Sequence, residues 1–187
     1  MLSPRDAERV IIGFVPWAYA RLCPAVSAAG STPHGQRALP MIGLKAMQQS
    51  LETIAIATNG QGLYEFTRQV RAFVSAADVA IGLLTVFVRH TSCSLLIQEN
   101  ADRDVQTDLL QFFGRTVPEG MNWLVHTAEG ADDMPAHIKA ALTQTSIGIP
   151  VHEGQTMLGT WQGIYLFEHR RRPHQRQFVL HILGEMS

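Results

Sequence analysis

From Leu51 to Thr58 apolar and polar positions alternate with a period of two, with Ile54 and Ile56 on one face, which predicts a strand. Asn59-Gly60 supplies a turn. Leu63, Phe66, Val70, Phe73, Val74 and Ala77 then recur at helical spacing, so an amphipathic helix is expected over 62–77. Residues 79–88 are a continuous apolar run with β-branched side chains, the pattern of a buried strand, and 94–98 reads as a second short strand. Asp102 or Asp104 can cap a helix with Val105, Leu109, Phe112 and Phe113 on its apolar side. Residues 120–130 are loop. Asp132 or Asp133 caps a further helix with Pro135 in its first turn and Met134, Ile138, Ala141, Leu142 and Thr145 facing inward. Strands are expected at 147–153, 157–168 and 177–183. Gly154-Gln155 joins the first two and the turn 170–175 joins the last pair. Connectors this short imply hairpins and an α+β domain, a largely antiparallel sheet sandwich packed with about three helices.

The first 46 residues lack this patterning and are rich in Ala, Pro, Gly and Ser. Val10 to Ala20 with Ala18-Tyr19-Ala20 has the outline of a signal peptide, but Asp6 and Glu8 spoil its basic start and Pro16 breaks its apolar stretch. The chain is therefore expected to comprise a poorly ordered or misassigned extension over 1–46 and a single domain over 47–187. Met47 is a natural start. With 46% hydrophobic residues in 187 positions, such a domain can bury a sizeable core. A net charge of -1 gives no reason to expect nucleic acid as a partner. No apolar run is long enough for a membrane span. The two cysteines, Cys23 and Cys93, are far apart, which argues against a disulfide framework.

Eight histidines are the compositional oddity. His90 ends a buried strand, His126 lies in a loop before a helix, and His137 sits in the first turns of that helix. Three imidazoles on three anchors can provide three metal ligands and leave one position open. Nothing in the spacing demands it: His126 and His137 are eleven positions apart, so they form no helical pair of the HExxH kind. Separate surface or hydrogen-bonded histidines satisfy the same pattern. Glu99 ends a buried strand, where a carboxylate needs a partner or a task. General acid–base work is one outcome and a salt bridge to Arg89 or Arg103 the other. Asp102 and Asp104 suit helix capping. In "GTWQGI", residues 159–164, glycines permit close backbone approach, Trp161 offers a stacking face, and Gln162 both donates and accepts. A bulged strand edge with a core tryptophan fits equally. The run Arg170-Arg171-Arg172 reads as a solvated turn or a phosphate contact. Cys93 reads as a small buried hydrophobe.

Together "GLLTVFVRHTSCSLLIQENADRDVQTDL", "RTVPEG", "EGADDMPAHIKAAL" and "IPVHEGQTMLGTWQGIYLFEHR" resemble, in order, the segments of the YjbQ family, the secondary thiamine-phosphate synthases. The resemblance covers residues 48 to 185. It implies a cytoplasmic homotrimer in which His90, His126 and His137 come together around a divalent metal such as zinc. It also implies a transferase that joins hydroxymethylpyrimidine diphosphate to a thiazole phosphate and releases pyrophosphate. Glu99, Arg89 and Asn100 would then be catalytic. Thr91, Ser92, Trp161, Gln162 and Arg176 would contact the phosphorylated substrate. A metal-dependent hydrolase on the same site, and a non-catalytic metal- or metabolite-binding trimer, are the alternatives. The extension has no counterpart in the family pattern.

Overall fold

A computed structural model describes residues 46–186 and a two-residue strand, β1 (Val10–Ile11). Most of the extension expected over 1–46 lies outside the described residues. The elements that follow are β2 (Met47–Thr58), β3 (Gly62–Glu65), α1 (Thr67–Ala76), β4 (Val79–Val88), β5 (Cys93–Glu99), α2 (Arg103–Thr116), α3 (Asp133–Leu142), β6 (Ser146–His152), β7 (Gln155–Thr156), β8 (Gln162–Glu168) and β9 (His174–Met186). They form two antiparallel sheets, one of six strands in the order β1-β2-β9-β4-β6-β7 and one of three in the order β3-β8-β5. The α+β fold expected from the alternating segments and short connectors is the one observed.

The core lies where the inner face of the larger sheet meets β5, β8 and α1. Val86, Phe178, Leu180, Ile149, Leu95, Ile164, Val70 and Phe66 belong to one buried cluster. Period-two alternation explains β8 in particular. Ile164 and Leu166 join this cluster, while Tyr165 and Phe167 serve the opposite face, where Phe113 of α2 meets Phe167 edge-on at 5.2 Å. No residue of α2 is fully buried. Its Asp102 cap accepts from the Asp104 N–H at 2.8 Å, the capping role expected of it.

Four expectations differ. The strand expected over 157–168 begins at Gln162 and lies in the smaller sheet, and the turn at Gly154 joins β6 to the two-residue β7 instead. The helix predicted over 62–77 is shorter, because 62–65 pairs with β8 as a strand and a hydrogen bond from Phe66 N–H to the Ile164 carbonyl continues that link. The connection 169–173 makes no hairpin: β8 pairs with β3 and β5, and β9 with β2 and β4, so the chain crosses from one sheet to the other there. The buried face of α3 is rotated from the expected one, with Asp133, Pro135, Ala136, Lys139 and Ala140 inside and Leu142 exposed. Small alanines let the helix approach β5 closely, and buried polar partners hold Asp133 and offset the cost of its burial.

The outer face of the larger sheet carries an exposed apolar patch among polar residues such as Thr85 and His181. Ile81, Leu83, Phe87 and Leu183 are each about half exposed there. Leu83 stands opposite both Leu183 and Pro150 in register. Near this face Gly82 pairs with Gly184, and a Cβ on either would come within 2.5 Å of the opposing backbone. That close strand approach demands glycine at both positions.

Candidate metal centre and its surroundings

α3 begins with Asp132 as its first cap residue and carries Asp133 and His137 one turn apart on one face. The loop before it brings in His126. Donor atoms of His126, Asp133 and His137 all lie within 4.8 Å of one another. His126 Nε2 is 2.8 Å from Asp133 Oδ2, and His137 Nε2 is 3.6 Å from the same oxygen. His137 Nδ1 donates to the Thr91 carbonyl at 3.0 Å. That bond fixes the tautomer and leaves the Nε2 lone pair aimed at the cluster. Ligands of a tetrahedral zinc at ~2.1 Å stand about 3.4 Å apart. The 3.6 Å spacing fits this, and the 2.8 Å spacing is that of a hydrogen bond, which would have to open for an ion to enter. Two nitrogens and one carboxylate oxygen suit a divalent metal of zinc type.

Asp133 is buried, and Arg170 holds its other oxygen, Oδ1, through Nη1. Arg170 also donates from Nε to Asp132 at 3.1 Å and from Nη2 to the Glu129 carbonyl at 2.9 Å. Of the arginine run, then, Arg170 is an internal clamp. Arg171 reaches Glu119 on the surface. Burial alone would raise the Asp132 carboxyl. Hydrogen bonds from the Arg171 N–H and the Arg170 side chain outweigh it and hold the group below the ordinary carboxylate range. Beside His126 opens a hollow of about 350 Å³ with Met121, Leu124 and Pro135 in its wall.

The other sequence candidates fall into three places. Thr91 belongs to this end of the molecule through its carbonyl, with Ser92 next in the chain. His90 stands apart from the cluster: its Nε2 accepts from the Gln177 N–H at 2.9 Å, and Asp133 takes the third place beside His126 and His137. Burial, then Arg176, pushes the His90 pKa down. Arg89 is exposed and bonds through its backbone N–H to the Gln177 carbonyl. Arg176 is buried, and donates from Nε and Nη2 to the two oxygens of Glu168 at 2.6 and 2.5 Å. Glu168 also accepts from Thr58 Oγ1 and the Arg170 N–H. Its burial would raise its pKa, but these partners, Arg176 foremost, hold it down. Cys93 lies opposite Glu168 in register, fully buried as expected, and its thiol is pushed up to about 12 by burial. His169 lies fully inside. Its Nε2 meets Ser94 Oγ at 2.9 Å and its Nδ1 has no partner among the described residues. Burial, then the nearby Lys139 and Arg176 charges, pushes its pKa down to about 3.

Glu99, Asn100, Trp161 and Gln162 gather at the far end of β5. Glu99 pairs with Gln162 in register, and the Asn100 N–H donates to the Trp161 carbonyl at 3.0 Å. Trp161 is 64% exposed, which removes the core-tryptophan reading. Glu99 forms no ion pair with Arg89 or Arg103 among the described residues. At ~3.4 Å per residue, the six steps from Cys93 to Glu99 put about 20 Å between the two ends. The sequence candidates therefore form two poles within one chain.

A family model described as UPF0047 protein YjbQ-like matches residues 52–185. The chain belongs to the YjbQ family. A UPF0047 protein of Synechocystis sp. is 54% identical over 139 residues, covering 74% of this chain and 95% of that one. UPF0047 protein YjbQ of Escherichia coli O157:H7 is 41% identical over 135 residues, covering 72% and 97%. Among solved structures, a YbjQ-like protein of Sulfolobus solfataricus P2, described as of unknown function, superposes with a TM-score of 0.69 at 27% identity and covers 74% of this chain and 99% of its own. The family-model match thus begins at residue 52, beyond residues 1–46.

Sequence reasoning missed Asp133 and Arg170. Asp133 passed as a helix cap, although Asp133 and His137 stand four apart on a helix, and that spacing was the available signal. Arg170 sat within a basic run, and nothing in the run distinguishes a buried arginine from its solvated neighbours.

Proposed function

We propose that this YjbQ-family chain is a cytoplasmic, weak thiamine-phosphate synthase. It joins hydroxymethylpyrimidine diphosphate to a thiazole phosphate and releases pyrophosphate. The observation that carries the reading is the convergence of His126, Asp133 and His137, with the His137 tautomer fixed by Thr91. A divalent metal bound there, zinc by its donor set, supplies positive charge for a departing diphosphate. The chain's own residues orient and bind. Thr91 and Ser92 offer donors beside the cluster. Arg89, exposed next to His90, can meet a phosphate oxygen. Trp161 presents a stacking face for a pyrimidine, with Gln162 and Asn100 for its edge and Glu99 to carry a proton. In the bond changes, the methylene carbon leaves the diphosphate oxygen and joins the thiazole nitrogen.

The two poles lie about 20 Å apart along β5, too far for one small substrate to touch both in one chain. A homotrimer answers this if a neighbour's Glu99 pole adjoins the His126 pole. The exposed apolar patch of Ile81, Leu83, Phe87 and Leu183 supports such an assembly. A metal-dependent hydrolase on the same cluster is the second reading, favoured by the open hollow beside His126, which gives water access to it.

The experiment measures metal in protein purified without a histidine tag, beside His126→Ala and Asp133→Asn, and then assays thiamine phosphate formation and pyrophosphate release. Stoichiometric metal, lost together with synthesis in both variants, supports the synthase. Retention of synthesis by both metal-free variants would remove the metal mechanism. Hydrolysis of a phosphate ester without any coupling would move the assignment to the hydrolase.

A further inference from the structure

Where β5 ends, α2 begins and β8 runs beneath, the structure forms a polar cleft of about 430 Å³ lined by Glu65, Asn100, Arg103, Gln106, Thr107 and Tyr165. Gly163 of β8 lies against three of these residues. A Cβ there would sit 2.9 Å from Glu65 Oε1, 2.9 Å from the Tyr165 ring and 3.1 Å from the Asn100 Cβ. The three side chains meet only because position 163 carries no side chain.

The two charges in this cleft are opposite, yet they are not paired with each other. Glu65 Oε1 accepts from Thr67 Oγ1 at 2.7 Å, and Oε2 has no partner among the described residues. The Arg103 guanidinium likewise has none there. The Tyr165 hydroxyl is engaged loosely, accepting from Gln106 Nε2 and donating to the Glu99 carbonyl, both at 3.3 Å. Burial, then the Glu65 charge, pushes its pKa up, so it remains a donor. A carboxylate, a guanidinium, two side-chain amides and a phenol facing one small space can satisfy a ligand that carries both signs of charge.

We propose that this cleft is a second binding site, for a small zwitterion of the amino-acid type. Its ammonium meets Glu65, its carboxylate meets Arg103 in a two-pronged contact, and Asn100, Gln106 and Tyr165 bond its polar edge. The site uses none of His126, Asp133 and His137. It shares Asn100 with the synthase reading, which asks nothing of Glu65 or Arg103.

The test is titration of the full chain with the free proteinogenic amino acids, by calorimetry and by the side-chain amide signals of Asn100 and Gln106. Propionate and methylammonium, each carrying one charge, serve as the comparison. Glu65 and Arg103 are exposed, and far-UV circular dichroism checks that their variants fold. One amino acid should bind saturably and shift both amides. Its affinity should fall about tenfold or more in Arg103→Ala and in Glu65→Gln, the scale of one charged hydrogen bond. His126→Ala should bind it as the parent does. Absence of saturable binding across the panel would overturn the proposal. So would binding that both cleft variants retain, or single-charge probes that bind as well as the amino acid. Loss of metal-dependent synthesis with this binding intact would sink only the synthase reading.

Discussion

The two ends of β5 use charge in opposite ways. At the Cys93 end the buried arginines and acids have protein partners: Arg176 with Glu168, Arg170 with Asp132 and Asp133, and Asp133 with His126. At the Glu99 end Glu65 Oε2 and the Arg103 guanidinium face open space. The first end is a rigid frame that orients donor atoms for an ion. The second leaves its hydrogen-bonding capacity for something that arrives from solution. Burial decides the difference. A desolvated charge without a partner costs several kcal/mol, whereas a solvated one costs little.

Removing one member of the buried pair breaks the contrast most sharply. Arg176→Ala should destabilise the fold by about 3–5 kcal/mol, on the order of 10 °C in Tm. Chemical denaturation checks this, and a loss under 1 kcal/mol would mean that Glu168 finds water. Arg170→Ala should come next, at about 3 kcal/mol, because Asp133 then lies buried without its cation. Added zinc should recover more Tm in this variant than in the parent, since the ion supplies the missing positive charge. A pH series sharpens the picture further. The folded pKa of His169, about 3, lies below its unfolded value near 6.5. The unfolded chain therefore binds more protons between those values, and stability is full above about 6.5 and falls as pH drops toward 3. His90, shifted down as well, adds to the slope with the same sign. His169→Gln should flatten the dependence of Tm on pH above the carboxylate range; an unchanged slope would place its cause elsewhere. Trp161→Ala, at the open end, should alter stability by no more than ~0.5 kcal/mol, read in the same denaturation assay.

The strands were legible because alternation survives where one face is buried, as in β2, and a continuous apolar run marks a strand buried on both faces, as in β8. Short β3 was not, because Leu63 and Phe66 also fit helical spacing and only pairing with β8 distinguishes the two. The site was half legible. His126 and His137 stand out as residue types, and their elements were placed correctly. Asp133 was hidden because an acid in a first helical turn already has an adequate explanation. The pairing of Arg176 with Glu168 was hidden because ion-pair burial depends on which sheets the chain crosses between, and no local pattern encodes that crossing.

That crossing has a consequence for the order of folding. Met47 pairs with Glu185 at the two extremes of the described domain, so β2 must close a very long loop to reach β9. The step from β8 to β9 links the two sheets within a few residues, with Glu168 and Arg176 eight apart. Loop entropy favours the short link first. The β4–β6 and β5–β8 pairs, which close the shorter loops, can therefore assemble early, with the arrival of β2 as the last, rate-setting event. Core truncations in β2, such as Ile54→Ala, would then speed unfolding while barely slowing refolding, and truncations in the β5–β8 pair would do the reverse.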